Sequence, residues 1–346
     1  MSFDKRSSIF LALLMAIFFS LSACSETIND KQGKTMSILQ DKPVFRIKLS
    51  AFGTRYDVLL NGTPIYNEDS SKAQLDTEFP VNHYMHPERN TLGVYVYPGK
   101  PGHEINPHSR VKIELIVKTS GLNNEQTIAS IDFKAGEEYL KSTIERSSPD
   151  GQFSSSNNFE ADDSGDVNVH PIQERLEPEY EGSFYLEREI TMPNSLPLWA
   201  FFNSDTMPNY YTVSDEEYYS ARKSLFEALE VIQNALAEGT EEAIDRIMPL
   251  FEERSRETDL AFYLPEGETQ NGLRSDFLES IESKSQRLAE LKEDYVVLHI
   301  DPNRLMIRGL RGDDGSAIGF DDSSFGGSTS FPIRFRRQNG EWIITR

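Results

Sequence analysis

The hydrophobic period of this chain changes from two to about 3.6 near residue 214, and that change limits the folds open to it. From Val44 to Lys134, short segments rich in β-branched and aromatic residues (VFRIKLSA, RYDVLLNGTPIYN, NTLGVYVYP, RVKIELIVKT, QTIASIDFK) are separated by Gly, Pro and Asn. Val111, Ile113, Leu115 and Val117 alternate with Lys112, Glu114, Ile116 and Lys118. One apolar face against one mostly polar face is what an antiparallel sheet with a single wet side requires. Asn61-Gly62 and Asn339-Gly340 are two-residue hairpin signals. The segment GSFYLEREITMP alternates again and is expected to return a last strand to the same sheets.

From Ser214 the pattern is helical. Ser214 and Glu217 form a capping box, Tyr218, Ala221, Leu225, Leu229, Ile232 and Leu236 recur at helical spacing, and Gly239 ends the run. A second helix is expected from Thr240, burying Ile244, Ile247, Met248 and Phe251, with Pro249 bending or restarting it. A third is expected from about Ser275 through Phe277, Leu278, Ile281, Leu288 and Leu291. YVVLHID, RLMIRGL, SFPIRFRR and GEWIITR then read as closing strands. The expected fold class is therefore two domains: an N-terminal all-β sandwich over residues 43–205, and a C-terminal α+β domain, helices followed by an antiparallel meander, over 206–346. A chain of 346 residues also exceeds what one core usually organises. The apolar stretch from Leu196 to Phe202 is expected to pack at the junction. Residues 147–166 are rich in Ser, Asn, Asp and Gly, so a disordered acidic insertion is expected at about 147–180.

The beginning of the chain carries an address. Lys5 and Arg6 precede an apolar run from Ile9 to Phe19, which is shorter than the roughly 20 residues needed to span a bilayer. Leu21-Ser22-Ala23-Cys24 follows and resembles the lipobox of bacterial lipoproteins. That resemblance implies a signal peptide over 1–23, a diacylglycerol on the Cys24 thiol, and attachment to membrane through that lipid. With Ser25 next, it further implies an envelope location at the outer membrane, facing the periplasm. Two or three acyl chains make release negligible, because each buried methylene contributes about 0.8 kcal/mol. Cys24 is the only cysteine, so no disulfide, CxxC pair or cysteine-based zinc site exists within one molecule. Residues 24–42 have little apolar periodicity and are expected to be a flexible tether.

The C-terminal element order, ending in PIRFRRQNGEWIITR, resembles the NTF2-like (cystatin-like cone) domains, in which helices pack into a curved sheet. The likeness covers at most residues 214–346 and carries no functional residue with it.

Charge excludes some functions. With 56 acidic and 35 basic side chains, the net charge is −21, which repels phosphate backbones and disfavours nucleic-acid binding. His83, His86, His103 and His108 are four of the six histidines and stand beside Glu88 and Glu104, the residue types of a metal site. Their contexts point to exposed loops: His103-Glu104 lacks the second histidine of HExxH, and Pro107 breaks the helix that motif needs. Glu160, Asp162, Asp163 and Asp166 fail the EF-hand template at its glycine and its final glutamate. Asp321-Asp322 reads as a turn. No GxSxG elbow or phosphate-cradling GxxxxGK[ST] loop is present, and no cofactor is expected. Arg304, Arg308, Arg311, Arg334, Arg336, Arg337 and Arg346 gather in the final strands and are expected either to pair with the acidic helices or to form a docking surface, centred on Arg304, Arg308, Arg334 and Arg336, for an acidic partner or carboxylate ligand. The function expected is a membrane-anchored, non-enzymatic binding or interaction module with a protein or small-ligand partner, for example an immunity-type inhibitor of a periplasmic toxin. An envelope hydrolase and a structural assembly factor are the alternatives.

Overall fold

Alternating side chains make the first half sheet-rich. A computed structural model describes residues 39–68, 74–100, 103–119, 125–136, 167–176, 182–311, 315–322 and 328–346. The lipobox with Cys24, the tether up to residue 38 and the acidic stretch 160–166 lie outside the described residues. Among the described residues ten strands come first: β1 (Pro43–Phe52), β2 (Arg55–Leu60), β3 (Thr63–Glu68), β4 (Gln74–Pro80), β5 (Arg89–Tyr97), β6 (Arg110–Thr119), β7 (Glu125–Lys134), β8 (Asn168–Val169), β9 (Gln173–Leu176) and β10 (Phe184–Thr191). They form two antiparallel sheets, ordered β4-β1-β6-β7 and β3-β2-β5-β10-β8, with β9 also pairing β10. Phe45, Ile47 and Leu49 of β1, Val111, Ile113, Leu115 and Val117 of β6, and Leu92, Val94 and Val96 of β5 all enter one apolar cluster. Period two thus places alternate side chains of β1, β5 and β6 in a core shared by the two sheets.

Two expected limits move. Leu39 is buried in that cluster and its carbonyl accepts from Ser195 N–H (3.0 Å), so the folded part begins before the expected tether ends at residue 42. Residues 168–176, placed in the disordered insertion by composition, form β8 and β9. The buried Arg188 of β10 secures this region by donating to His170 O and to Ser130 O of β7, both at 2.9 Å.

In the second half, α1 (Asp215–Glu238) is capped by Ser214, whose hydroxyl accepts from Glu217 N–H, and ends at Gly239 with φ 68°. α2 (Glu241–Ile247) stops at a 3₁₀ turn containing Pro249, and the chain restarts as α3 (Glu252–Phe262). α4 (Glu268–Glu282) begins earlier than expected and ends before Leu288, which instead lies in β11 (Gln286–Leu288). Then come β12 (Val296–Ile300), β13 (Met306–Arg311), β14 (Gly315–Ser316), β15 (Ile318–Asp322), β16 (Ser328–Phe331), β17 (Phe335–Gln338) and β18 (Glu341–Ile344). Asp321 and Asp322 close a strand rather than a turn, and SFPIRFRR is split into β16 and β17 around Pro332. The sheets are β11-β15-β16 and β12-β13-β17-β18, with β14 on β13. Leu225, Leu229 and Ile232 of α1 share a second apolar cluster with Phe277, Leu298, Ile307 and Phe335. No helix among the described residues is long and apolar enough to cross a membrane.

Residues 38–346 form one compact unit. Its cores cross the expected boundary at 205: Ala261 of α3 and Met306 of β13 belong to the first cluster. Polar contacts reinforce the seam. Asn61 and Gly62, both at positive φ as a type I′ turn requires, bring the β2–β3 hairpin onto Asn303, whose side chain donates to Asn61 O (2.8 Å) and Thr63 Oγ1 (3.0 Å). A Cβ on Gly62 would stand 2.9 Å from Asn303 Cβ. Gly62→Ala therefore combines left-handed strain with a clash across the seam, and should lower unfolding free energy by about 1–3 kcal/mol in urea denaturation. Unchanged stability would mean that the hairpin contact contributes nothing.

Candidate functional site

The seam contains a cleft of about 340 Å³. Its position follows from Asn82, a fully buried residue in the 3₁₀ turn Asn82–Tyr84 between β4 and β5. The Asn82 amide donates to Pro43 O and to Ala261 O, both at 2.7 Å, and its Oδ1 accepts from Phe45 N–H at 2.6 Å. Trp199 Nε1 donates to the Asn82 carbonyl at 3.0 Å. Every hydrogen-bonding group of this side chain is engaged, so the turn is held against the end of α3, as burial of an amide demands. His83 and Tyr84 then line the cleft, together with Pro64, Ile65, Tyr66 and Asn67 of β3.

The opposite wall is cationic. α3 places Arg254, Glu257 and Thr258 at helical spacing on one face, β13 contributes Arg308, and Arg334 and Arg346 flank the last hairpin. Arg334 is buried, pairs with the buried Asp301 at 2.9 Å and donates to Pro64 O across the seam. Arg346 pairs with Glu257 at 2.7 Å and donates to His83 O at 3.0 and 2.7 Å. Its guanidinium also lies 4.8 Å from the Phe201 ring centroid and 5.9 Å from that of Trp199. The second Glu257 oxygen accepts from Ala200 N–H at 2.7 Å. The 196–202 segment thus meets α3 and Arg346 at the seam.

Arg254 and Arg308 are different. Among the described residues neither forms an ion pair with a carboxylate, and the Arg308 side chain has only a long contact, 3.4 Å, to His299 Nδ1. Burial lowers the proton affinity of both, although arginine keeps its charge. Asp57 and Asp301 act on Arg308 through space. His83 is kept neutral: burial holds it well below the usual imidazole range, and Arg346, Arg254 and Arg334 add repulsion. Its Nδ1 is buried without a hydrogen-bond partner. Burial, then Arg308 and Arg334, lowers His299 to about 4.

The four histidines of the 83–108 stretch are not brought together. His86 accepts from Glu88 and Arg89 N–H through Nδ1 and packs edge-on against Phe202, while His103 and His108 are exposed between β5 and β6. No group of three or more His, Cys, Asp or Glu among the described residues is placed to hold a metal ion. The four C-terminal arginines also separate. Arg308 and Arg334 line the cleft, Arg336 is bound through two nitrogens to Glu253 of α3, and exposed Arg304 sits in a turn at φ 58°. Sequence reading counted Arg346 among the C-terminal arginines but missed Arg254, whose place on α3 no local pattern signals. A larger hollow of about 510 Å³ lies beside Val231, Leu250 and Trp342, but it is mainly apolar, and Glu253 at its edge is already engaged by Arg336.

No protein-family model matches the chain, and no curated protein matches it. The functional reading therefore rests on this geometry.

The buried imidazoles set a pH dependence. Between about pH 6.5 and pH 4 the unfolded chain protonates His299 while the folded chain does not, so this stability is complete above 6.5 and is lost as pH falls through about 4. Urea denaturation should show a loss of roughly 1–2 kcal/mol from this residue between about pH 7 and pH 5. His299→Gln should flatten that slope; an unaltered slope would assign the pH dependence elsewhere.

Proposed function

We propose that this protein is a lipid-anchored component of the bacterial envelope, held through Cys24 at the outer membrane and facing the periplasm, which binds a small ligand in the seam cleft without transforming it. In this reading the N-terminal lobe is a β-sandwich and the C-terminal lobe an α+β domain resembling the NTF2-like cones, the two welded into one body. The observation that carries the binding role is a concave site lined by two guanidiniums that, among the described residues, form no ion pair with a carboxylate. Groups left in this state oppose folding and are kept where a ligand completes them.

Holding is favoured over conversion by the chemistry of the wall. Asp301 and Glu257 are both engaged by arginines, and the Thr258 hydroxyl donates to Arg254 O at 2.8 Å. General-base or nucleophilic work needs such groups free and within reach of a substrate. A concave pocket of this size also suits a small molecule better than capture of a protein toxin, which calls for a broad interface of about 1,200–2,000 Å².

Two measurements test this reading. Cys24→Ala should move the protein from the membrane to the soluble fraction, and persistence in membranes would remove the anchor. Arg254→Gln should leave unfolding free energy unchanged or raise it by about 0.5–1 kcal/mol, because it removes an unpaired buried charge. Arg346→Gln should lower it by about 3–5 kcal/mol by stranding Glu257. A loss of more than about 1 kcal/mol for Arg254→Gln would make that guanidinium part of the scaffold and not of a ligand site.

A further inference from the structure

We propose that the cleft holds a phosphate group, free or as the monoester of a small alcohol, with Arg254 and Arg308 as its direct cationic partners and His83 as a neutral hydrogen-bond partner. The inference rests on the cleft being a ligand site and adds the ligand's chemistry.

Charge comes first. Four guanidiniums line the cleft, and the two carboxylates paired with them, Asp301 and Glu257, do not line it. Two positive side chains, Arg254 and Arg308, remain without an ion-paired carboxylate among the described residues. No Asp or Glu side chain is among the residues lining the cleft. Donor directions come second. Arg334 and Arg346 use their N–H groups on Asp301, Pro64 O, Glu257 and His83 O. Arg254 and Arg308 have their forks largely unused, and an arginine fork matches two oxygens of one acceptor. Two forks and one imidazole need more acceptor sites than the two oxygens of a carboxylate provide, whereas a phosphate offers at least three oxygens. Space comes third: 340 Å³ exceeds the roughly 30 Å³ of one water about tenfold, leaving room for a small alcohol beside Tyr66 and Tyr84. The acidic surface outside excludes large polyanions while leaving the internal site cationic.

The test is isothermal titration of the full chain in detergent at constant ionic strength, with inorganic phosphate, glycerol 3-phosphate and citrate as separate probes. A Kd below about 1 mM is expected for at least one phosphate compound, with Arg254→Gln and Arg308→Gln each weakening it at least about tenfold and Arg287→Gln, exposed on β11, leaving it unchanged. Tighter binding of inorganic phosphate identifies the free ion as the source, and tighter binding of glycerol 3-phosphate identifies a monoester or headgroup. Citrate binding that depends on Arg254 with silence from both phosphate compounds overturns the phosphate assignment and leaves the cleft as a ligand site. Silence from all three, or phosphate binding indifferent to both arginine variants, overturns the proposal. Circular dichroism of each variant excludes unfolding as the cause of a loss.

Discussion

Buried polar groups that find their partners only across the seam are the constraint on which the rest of this structure depends. Asn82 reaches Ala261 O, Arg334 reaches Pro64 O, Arg346 reaches His83 O, and Asn303 reaches Asn61 O. Sliding one half against the other would leave two amides, two guanidiniums and several carbonyls without these partners while still buried. Each such loss costs about 1–3 kcal/mol, and more where the group is charged. An apolar interface could slide at little cost, but this one has a register. The position of α3 relative to the 82–84 turn is fixed by bonds in specific directions, which gives the cleft between them a defined shape.

The same constraint explains the character of α3. Its buried residues include Ser255, Glu257 and Asp259, so the helix turns polar side chains inward. Glu257 bridges Arg346 and Ala200 N–H, and Asp259 accepts from Gly267 and Thr269 N–H, which organises the entry to α4. A helix with these duties cannot also present an apolar stripe. Its stability comes from the groups it satisfies rather than from the area it buries, and substitutions along its inner face act through charge more than through volume.

This divides what the sequence could reveal from what it could not. Alternation in β1 and β6, the two Asn-Gly turns and the Ser214 capping box were legible because each is local and recurs with a fixed period or a fixed backbone need. The period ran out at Phe251 because α3 lacks apolar spacing; β11 was missed because QRL holds one apolar residue, and β15 because the Asp-Asp that ends IGFDD reads as a turn. The cleft was invisible for another reason. His83 and Arg346 are separated by 263 positions, and Pro64 and Arg334 by 270, so no window along the chain contains a pair. Counting arginines in the final strands found Arg308 and Arg334, but it could not distinguish them from Arg336, whose charge is answered by Glu253.

Charge balance along the seam separates scaffold from site. Arg334 with Asp301 and Arg346 with Glu257 each unite a buried cation with a buried anion, and each cation also donates to a carbonyl of the opposite half. These pairs close the seam on either side. Arg254 and Arg308 share this space without an ion-paired carboxylate among the described residues, and the closed pairs, each neutral as a whole, leave that positive charge in place although Asp301 and Asp57 act on Arg308 through space. Because the walls are already fixed by the pairs, an anion placed between the two free guanidiniums need order little of the protein. The polar weld that joins the halves is therefore also what preorganises the unpaired charge.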